Sequence, residues 1–181
     1  MNDLSMHILD IIQNSISAGA TRVILTVDEN PASDRLVISI ADNGKGMTPD
    51  QVRRLADPFF TSRTTRRVGM GIPLLVQTAQ QSGGDVSIES EPGKGTSVTA
   101  FFGYSNIDRP PLGDLANAFA LTVSSNPDMD FVLVYRYNGQ EYVLDTSDVR
   151  EIFGDGALRN LTIVKNIEEM LKENIAGMRN S

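Results

Sequence analysis

His7, Asp10, Asn14 and Ser17 follow one another at i, i+3, i+7 and i+10, a spacing that lines side chains along one face of an α-helix. Short polar side chains are an unusual choice there, because solvated helix faces favour Lys and Glu. A carboxylate one turn before an amide sets a general base for water beside a neutral oxygen ligand for a hard cation. Taken alone, the same four residues could simply face solvent. His7 is the single histidine of the chain and is read as a supporting or surface residue.

Two glycine-rich segments offer further chemistry. Asp42-Asn43-Gly44-Lys45-Gly46-Met47 directly follows a strand-like run. Its glycines let a backbone approach a flat ligand, and Asp42 supplies an acceptor at the strand end. A tight Asn-Gly turn would read the same way. Val68-Gly69-Met70-Gly71-Ile72-Pro73 runs into a helix N-terminus, where free amides and the helix dipole suit a phosphate. It lacks the Gly-Lys-Ser/Thr ending of a Walker loop and does not follow a strand, so the dinucleotide fingerprint is missing too. Arg63, Arg66 and Arg67 immediately precede it. With Arg53 and Arg54 they place five of the sixteen basic residues within fifteen positions.

The elements that must position these residues follow from periodicity. Ile8, Ile12 and Ile16, with Leu9, give residues 3–18 an apolar helical stripe, ended by Gly19. Val23, Leu25 and Val27 alternate as a strand, and a turn at 30–34 leads to a second strand over 36–41. Thr48 caps a short helix with Pro49 at its first position. Residues 72–82 read as a helix ended by Gly83-Gly84, and strands over 85–90 and 96–102 are joined by Glu91-Pro92-Gly93-Lys94-Gly95. Composition shifts at 106–111, the linker expected between residues 1–104 and a small α+β extension over 105–181. That extension carries a helix near 113–123 and a hairpin of 131–137 and 141–145 turning at Asn138-Gly139. A short helix near 147–153 and an amphipathic helix bearing Leu161, Val164, Ile167, Leu171 and Ile175 complete it. The hairpin could extend the first sheet or form its own layer.

The 181 residues contain no cysteine, which removes disulfides, thiolate metal sites and a cysteine nucleophile together. A net charge of −7 argues against general nucleic-acid affinity. No apolar run is long enough to span a bilayer and the N-terminus does not read as a secretory signal, so a cytoplasmic location is expected.

In order, the segments 10–20, Asp42-x-Gly44-x-Gly46, Pro58-Phe59-Phe60-Thr61, Gly69-x-Gly71 and Gly93-x-Gly95-Thr96 resemble the GHKL ATPase superfamily. That superfamily comprises DNA gyrase, heat-shock chaperones, histidine kinases and mismatch-repair ATPases. Residues 58–102 look most like the histidine-kinase catalytic domain, and residues 13–22 look closer to the mismatch-repair type. The resemblance implies a Bergerat-type ATP-binding fold, a two-layer α/β sandwich with ATP between helices and a lid. It makes Asn14 the ligand of a Mg2+ bridging the phosphates, and Asp42 the acceptor from the adenine amino group. Gly44 and Gly46 would leave room for the base, next to Met47. Gly69, Met70 and Gly71 would contact the phosphates, and Thr96 would stand beside the Asp42–adenine hydrogen bonds. Residues 57–68 would form the lid, with Arg63, Arg66 and Arg67 as a phosphate clamp or partner surface. Asp10 stands where hydrolysing members carry a glutamate, one methylene longer, and Ser17 stands where several relatives carry an acid.

The expected cofactors are therefore ATP and Mg2+. The ATPase-like region begins at the N-terminus, a layout that is not that of a self-contained autophosphorylating histidine kinase. Three uses of ATP are expected to compete: a slow ATPase or regulatory switch acting on a protein partner, a serine/threonine kinase of the anti-sigma type, and a nucleotide sensor without turnover. A homodimer is left open.

Overall fold

A computed structural model describes residues 3–56 and 71–181. Its sheet grows from the alternation read in the sequence. Strand β1 (Arg22–Asn30) turns its odd-numbered positions inward, and Val23, Leu25 and Val27 are all buried. A 3-10 turn at Pro31–Ser33 reverses the chain into β2 (Arg35–Asp42), whose inward positions Leu36, Ile38 and Ile40 are buried in turn. Strands β3 (Asp85–Glu91) and β4 (Gly95–Gly103) follow a helical segment, and β5 (Asp130–Tyr137) and β6 (Gln140–Asp145) come late in the chain. The six form one mixed sheet in the order β3-β4-β2-β1-β5-β6.

Among the described residues only the β1–β5 pair is parallel, running from Arg22↔Asp130 to Glu29↔Tyr137. The late hairpin thus extends the first sheet, and residues 105–181 share one apolar core with what precedes them. At its tip Asn138 and Gly139 both take positive φ, the requirement of a tight two-residue turn.

The α-helices among the described residues are α1 (Leu4–Ser17), α2 (Pro49–Ala56), α3 (Gly71–Gln81), α4 (Leu115–Ser125), α5 (Thr146–Phe153) and α6 (Leu161–Arg179). Helices α1, α3, α4 and α6 bury their apolar faces in the core shared with the inward face of the sheet, giving the expected two-layer α/β arrangement. The buried line of α1 is Leu4, Ile8, Ile11, Ile12 and Ser15. Leu9 and Ile16, expected in that stripe, are only half-buried. Helix α2 starts on a reciprocal cap, since Thr48 Oγ1 accepts from the Gln51 amide at 3.2 Å and Gln51 Oε1 accepts from the Thr48 amide at 2.9 Å. The 106–111 segment crosses to the start of α1, where Pro111 and Leu112 carbonyls accept from the Leu4 and Ser5 amides at 2.9 Å each.

The inward file of β1 ends in a charge. Glu29 continues Val23, Leu25 and Val27 and is only 4% exposed. Its carboxylate accepts from the buried phenol of Tyr135, and from Arg179 Nε and Nη2 at 2.9 and 2.7 Å. Burial, then the Glu29 carboxylate, pushes the Tyr135 phenol far above its ordinary range. Arg179 is the last residue of α6, so this cluster pins the C-terminal helix to β1. Removing the cation leaves a buried carboxylate under-compensated. Arg179→Met is therefore expected to cost about 2–3 kcal/mol, less than a fully buried pair because the arginine is part-exposed. Equilibrium denaturation reads this directly, and an unchanged midpoint would contradict the assignment.

Candidate functional site

At the other end of the sheet the inward file of β2 also ends in a carboxylate. Leu36, Ile38 and Ile40 face the core, and Asp42 is the next residue on that side. Register sets Thr96 of β4 opposite Asp42, and Ser90 of β3 opposite Thr96. A polar row therefore crosses three strands at the rim of an apolar sheet. Asp42 Oδ1 accepts from the amides of Gly44 at 2.9 Å and Thr96 at 3.3 Å, and Oδ2 accepts from the Ser15 hydroxyl at 2.6 Å. Thr96 and Ser90 share a 2.7 Å hydroxyl contact, and Ser90 Oγ accepts from the Met47 amide at 2.8 Å.

The glycines hold this row together through protein contacts. A Cβ on Gly44 would lie 2.9 Å from the Ala18 Cβ, so the loop after β2 nests against the end of α1. Gly46 has φ +70 and stands so close to the Glu91 carbonyl that a Cβ would fall 2.0 Å from its oxygen. Gly95, at φ +117, makes a comparable approach to the Asp42 carbonyl. Amide bonds complete the fastening: Lys45 donates to Ala18 O at 2.9 Å, and Gly93 donates to Lys45 O at 2.7 Å. The loop is thus clamped between the end of α1 and the β3–β4 turn.

Above the row opens a cleft of about 740 Å³. Ile11, Ile40, Ile72 and Val98 form apolar walls, and Asn14, Asp42, Gly46, Met47 and Thr96 also line it. Asn14 and Ser17 lie on its α1 side, Asn14 half-buried and Ser17 exposed. Asp10 is exposed one turn earlier, beside the start of α3, where a Cβ on Gly71 would come within 3.4 Å of the Asp10 Cβ. The structure thus brings Asn14, Asp42, Gly46, Met47 and Thr96 to one cleft, with Gly44 in the loop beside it and Gly71 next to Ile72 at its edge, whereas Asp10, close to Gly71, lines a separate groove with Leu121 and Asn126. Gly69, Met70, Arg63, Arg66 and Arg67 lie outside the described residues, as do the expected lid and Pro58-Phe59-Phe60-Thr61.

Two residues differ from expectation. Ser15 was not singled out by its spacing, yet it donates directly to Asp42. The signal available was a hydroxyl at i+4 from Ile11 on the buried face of α1, where an unpaired polar group would be costly. His7 is no surface residue: it is 4% exposed, packed beneath α3 with Nε2 3.4 Å from Thr78 Oγ1. The polar stripe therefore divides: α3 covers its first member, Asn14 and Ser17 line the cleft, and Asp10 is exposed in a separate groove.

These features are those of a known ATPase family. Residues 2–106 match the family model described as histidine kinase-, DNA gyrase B- and HSP90-like ATPase. The chain belongs to this family. Among curated proteins it is 31% identical over 107 residues to a putative sensor protein of Shewanella frigidimarina, covering 58% of this chain and 16% of that protein. It is 30% identical over 95 residues to sporulation kinase C of Bacillus subtilis, covering 52% of this chain and 22% of that one. The chain thus spans about a fifth of the length of these relatives. Solved structures show the same fold at 16% identity: the N-terminal domain of a DNA repair protein (TM-score 0.58, 88% of this chain and 59% of that one) and the Aquifex aeolicus MutL ATPase domain complexed with ADP (TM-score 0.50, 84% and 69%). Family membership supports ATP as a ligand. No helix among the described residues is long and apolar enough to cross a membrane.

His7 gives the domain a pH signature. Burial is the main cause that holds its imidazole below the ordinary value, so the folded state keeps it neutral. The unfolded chain takes up the proton first, at about pH 6.5, so stability falls as the pH drops below that point and levels off once the folded-state histidine also titrates. Thermal unfolding between about pH 7 and 5 should show this loss, and His7→Leu should remove it. Parallel pH profiles for the two proteins would show that His7 carries none of the effect.

Proposed function

We propose that this cleft binds Mg-ATP with the base at Asp42 and the phosphates between Asn14, Asp10 and the start of α3, and that slow turnover switches the chain between states read by a protein partner. The observation that carries the nucleotide reading is Asp42 itself. Its carboxylate sits at the rim of an apolar slot with three protein donors fixing it, which suits it to accept from an amino group. Apolar walls on either side suit the faces of a flat heterocycle.

The donors fit magnesium only as a companion of the nucleotide. No group of three or more His, Cys, Asp or Glu side chains among the described residues could hold a metal. Asn14 contributes an amide oxygen, with Asp10 one turn away on the same helix. Mg2+ is commonly held by one or two protein oxygens, substrate phosphates and waters, so this sparse set suits it. Bound there, the ion would neutralise phosphate charge and polarise the transferred group. Asp10 is the residue assigned to draw a proton from attacking water, and its exposure leaves water access open.

A mutant pair separates grip from chemistry. Asp42→Asn replaces one acceptor oxygen by a donor amide, and ATP affinity measured by calorimetry is expected to fall at least tenfold. Retained affinity would sink the placement of the base. Asp10→Asn is expected to bind ATP normally while phosphate release drops to background. Release at the wild-type rate would remove Asp10 from the mechanism. Label appearing on serine or threonine of a partner protein, rather than as free phosphate, would favour a kinase over the switch.

A further inference from the structure

Ser15 has a role that the ATP reading leaves open. Its side chain is 3% exposed, on the face of α1 turned into the core between Ile11 and the end of β2. The hydroxyl has one hydrogen-bond partner among the described residues, Asp42 Oδ2 at 2.6 Å. An ionised carboxylate offers about four acceptor positions, two on each oxygen. On Asp42 the two of Oδ1 are taken by the Gly44 and Thr96 amides, and one of Oδ2 is taken by Ser15. One position is left, and it is on Oδ2.

We propose, resting on the placement of the base at Asp42, that Ser15 is the positioning residue that makes this cleft select a purine carrying an exocyclic amino group. Backbone amides alone fix Oδ1 and leave the carboxylate free to pivot about it. The Ser15 hydroxyl arrests that pivot from a third element, so Oδ2 presents a single acceptor at a fixed place. A ring amino group donates to it. A ring bearing hydrogen at that position gains nothing from it, and a ring oxygen there is repelled. Ser15 also lines the floor of the cleft, and in this scheme its effect on the choice of base comes through Asp42.

The test uses the full chain, magnesium and two ligands: ATP, and purine riboside triphosphate, which has hydrogen in place of the amino group. Calorimetry on the wild type is expected to give tighter binding of ATP. Ser15→Ala and the near-isosteric, weakly donating Ser15→Cys should each weaken ATP about tenfold and the purine analogue less than twofold. Ser15→Thr keeps the hydroxyl and should keep the ratio between the two ligands, even where its extra methyl weakens both. An equal loss of both ligands in the Ala and Cys variants would reduce Ser15 to packing and overturn the proposal. An unchanged ratio with unchanged affinities would overturn it as well. Failure of the wild type to bind ATP would instead overturn the placement on which it rests, so the two failures are distinct.

Discussion

A carboxylate at the end of an apolar strand is the constraint around which this fold is arranged. Asp42 occupies a core-facing position, where an ionised group without partners would be expensive. Its three donors come from three separate pieces of chain: the loop it opens, the neighbouring strand β4 and helix α1. Each can reach it only because something else yields. The β4 amide comes close because Gly95 has no Cβ to strike the Asp42 carbonyl, and the loop amide because Gly44 fits under Ala18. The helix contributes because one position in its buried face is a serine rather than an aliphatic residue. Losing any one of these loosens the others, since they converge on the same two oxygens.

The opposite end of the sheet repeats the device for another purpose. Glu29 likewise terminates an inward file, but it is only 4% exposed, and Tyr135 and Arg179 converge on its Oε2 while Tyr104 reaches Oε1 at 3.4 Å. A carboxylate whose partners are all protein holds elements together, here β1, β5 and α6. A carboxylate with one acceptor to spare, beside an open apolar slot, is equipped to read a ligand. The difference between the two ends lies in access to a cleft, not in residue type.

Much of this could be read from residues in order, and the parts that could not have a common cause. Alternation in 23–27 and 36–41 places β1 and β2, and Asn138-Gly139 places the late turn, because each signal is local. Five spaced motifs together point to the ATPase family, although Gly44, Gly46 and Gly95 in them are required by close approaches within the protein. The pairing of β5 with β1 joins segments a hundred residues apart and leaves no trace in local periodicity. Ser15 and His7 eluded the reading for the same reason: a helical wheel says which residues share a face, not which element will cover it. Leu161 shows the limit at a helix end. It fits the apolar spacing of α6 but is 77% exposed, because the buried stripe begins one turn later at Val164.

In the proposed function, grip and chemistry are set by different parts of the domain, and this bears on what such a domain can be for. The Asp42 end of the cleft is held by strand ends and a buried helix face. Asp10, by contrast, is exposed and has no hydrogen-bond partner among the described residues. A general base works only when it is held within hydrogen-bond reach of its water, and an aspartate has one methylene less with which to find it. Its orientation must then come from the bound nucleotide or from whatever closes over it. Under the proposed function, a domain built this way would bind first and turn over conditionally. Conditional turnover gives an ATP-bound state a lifetime that a partner can set, which is the property a switch requires and a free-running ATPase lacks.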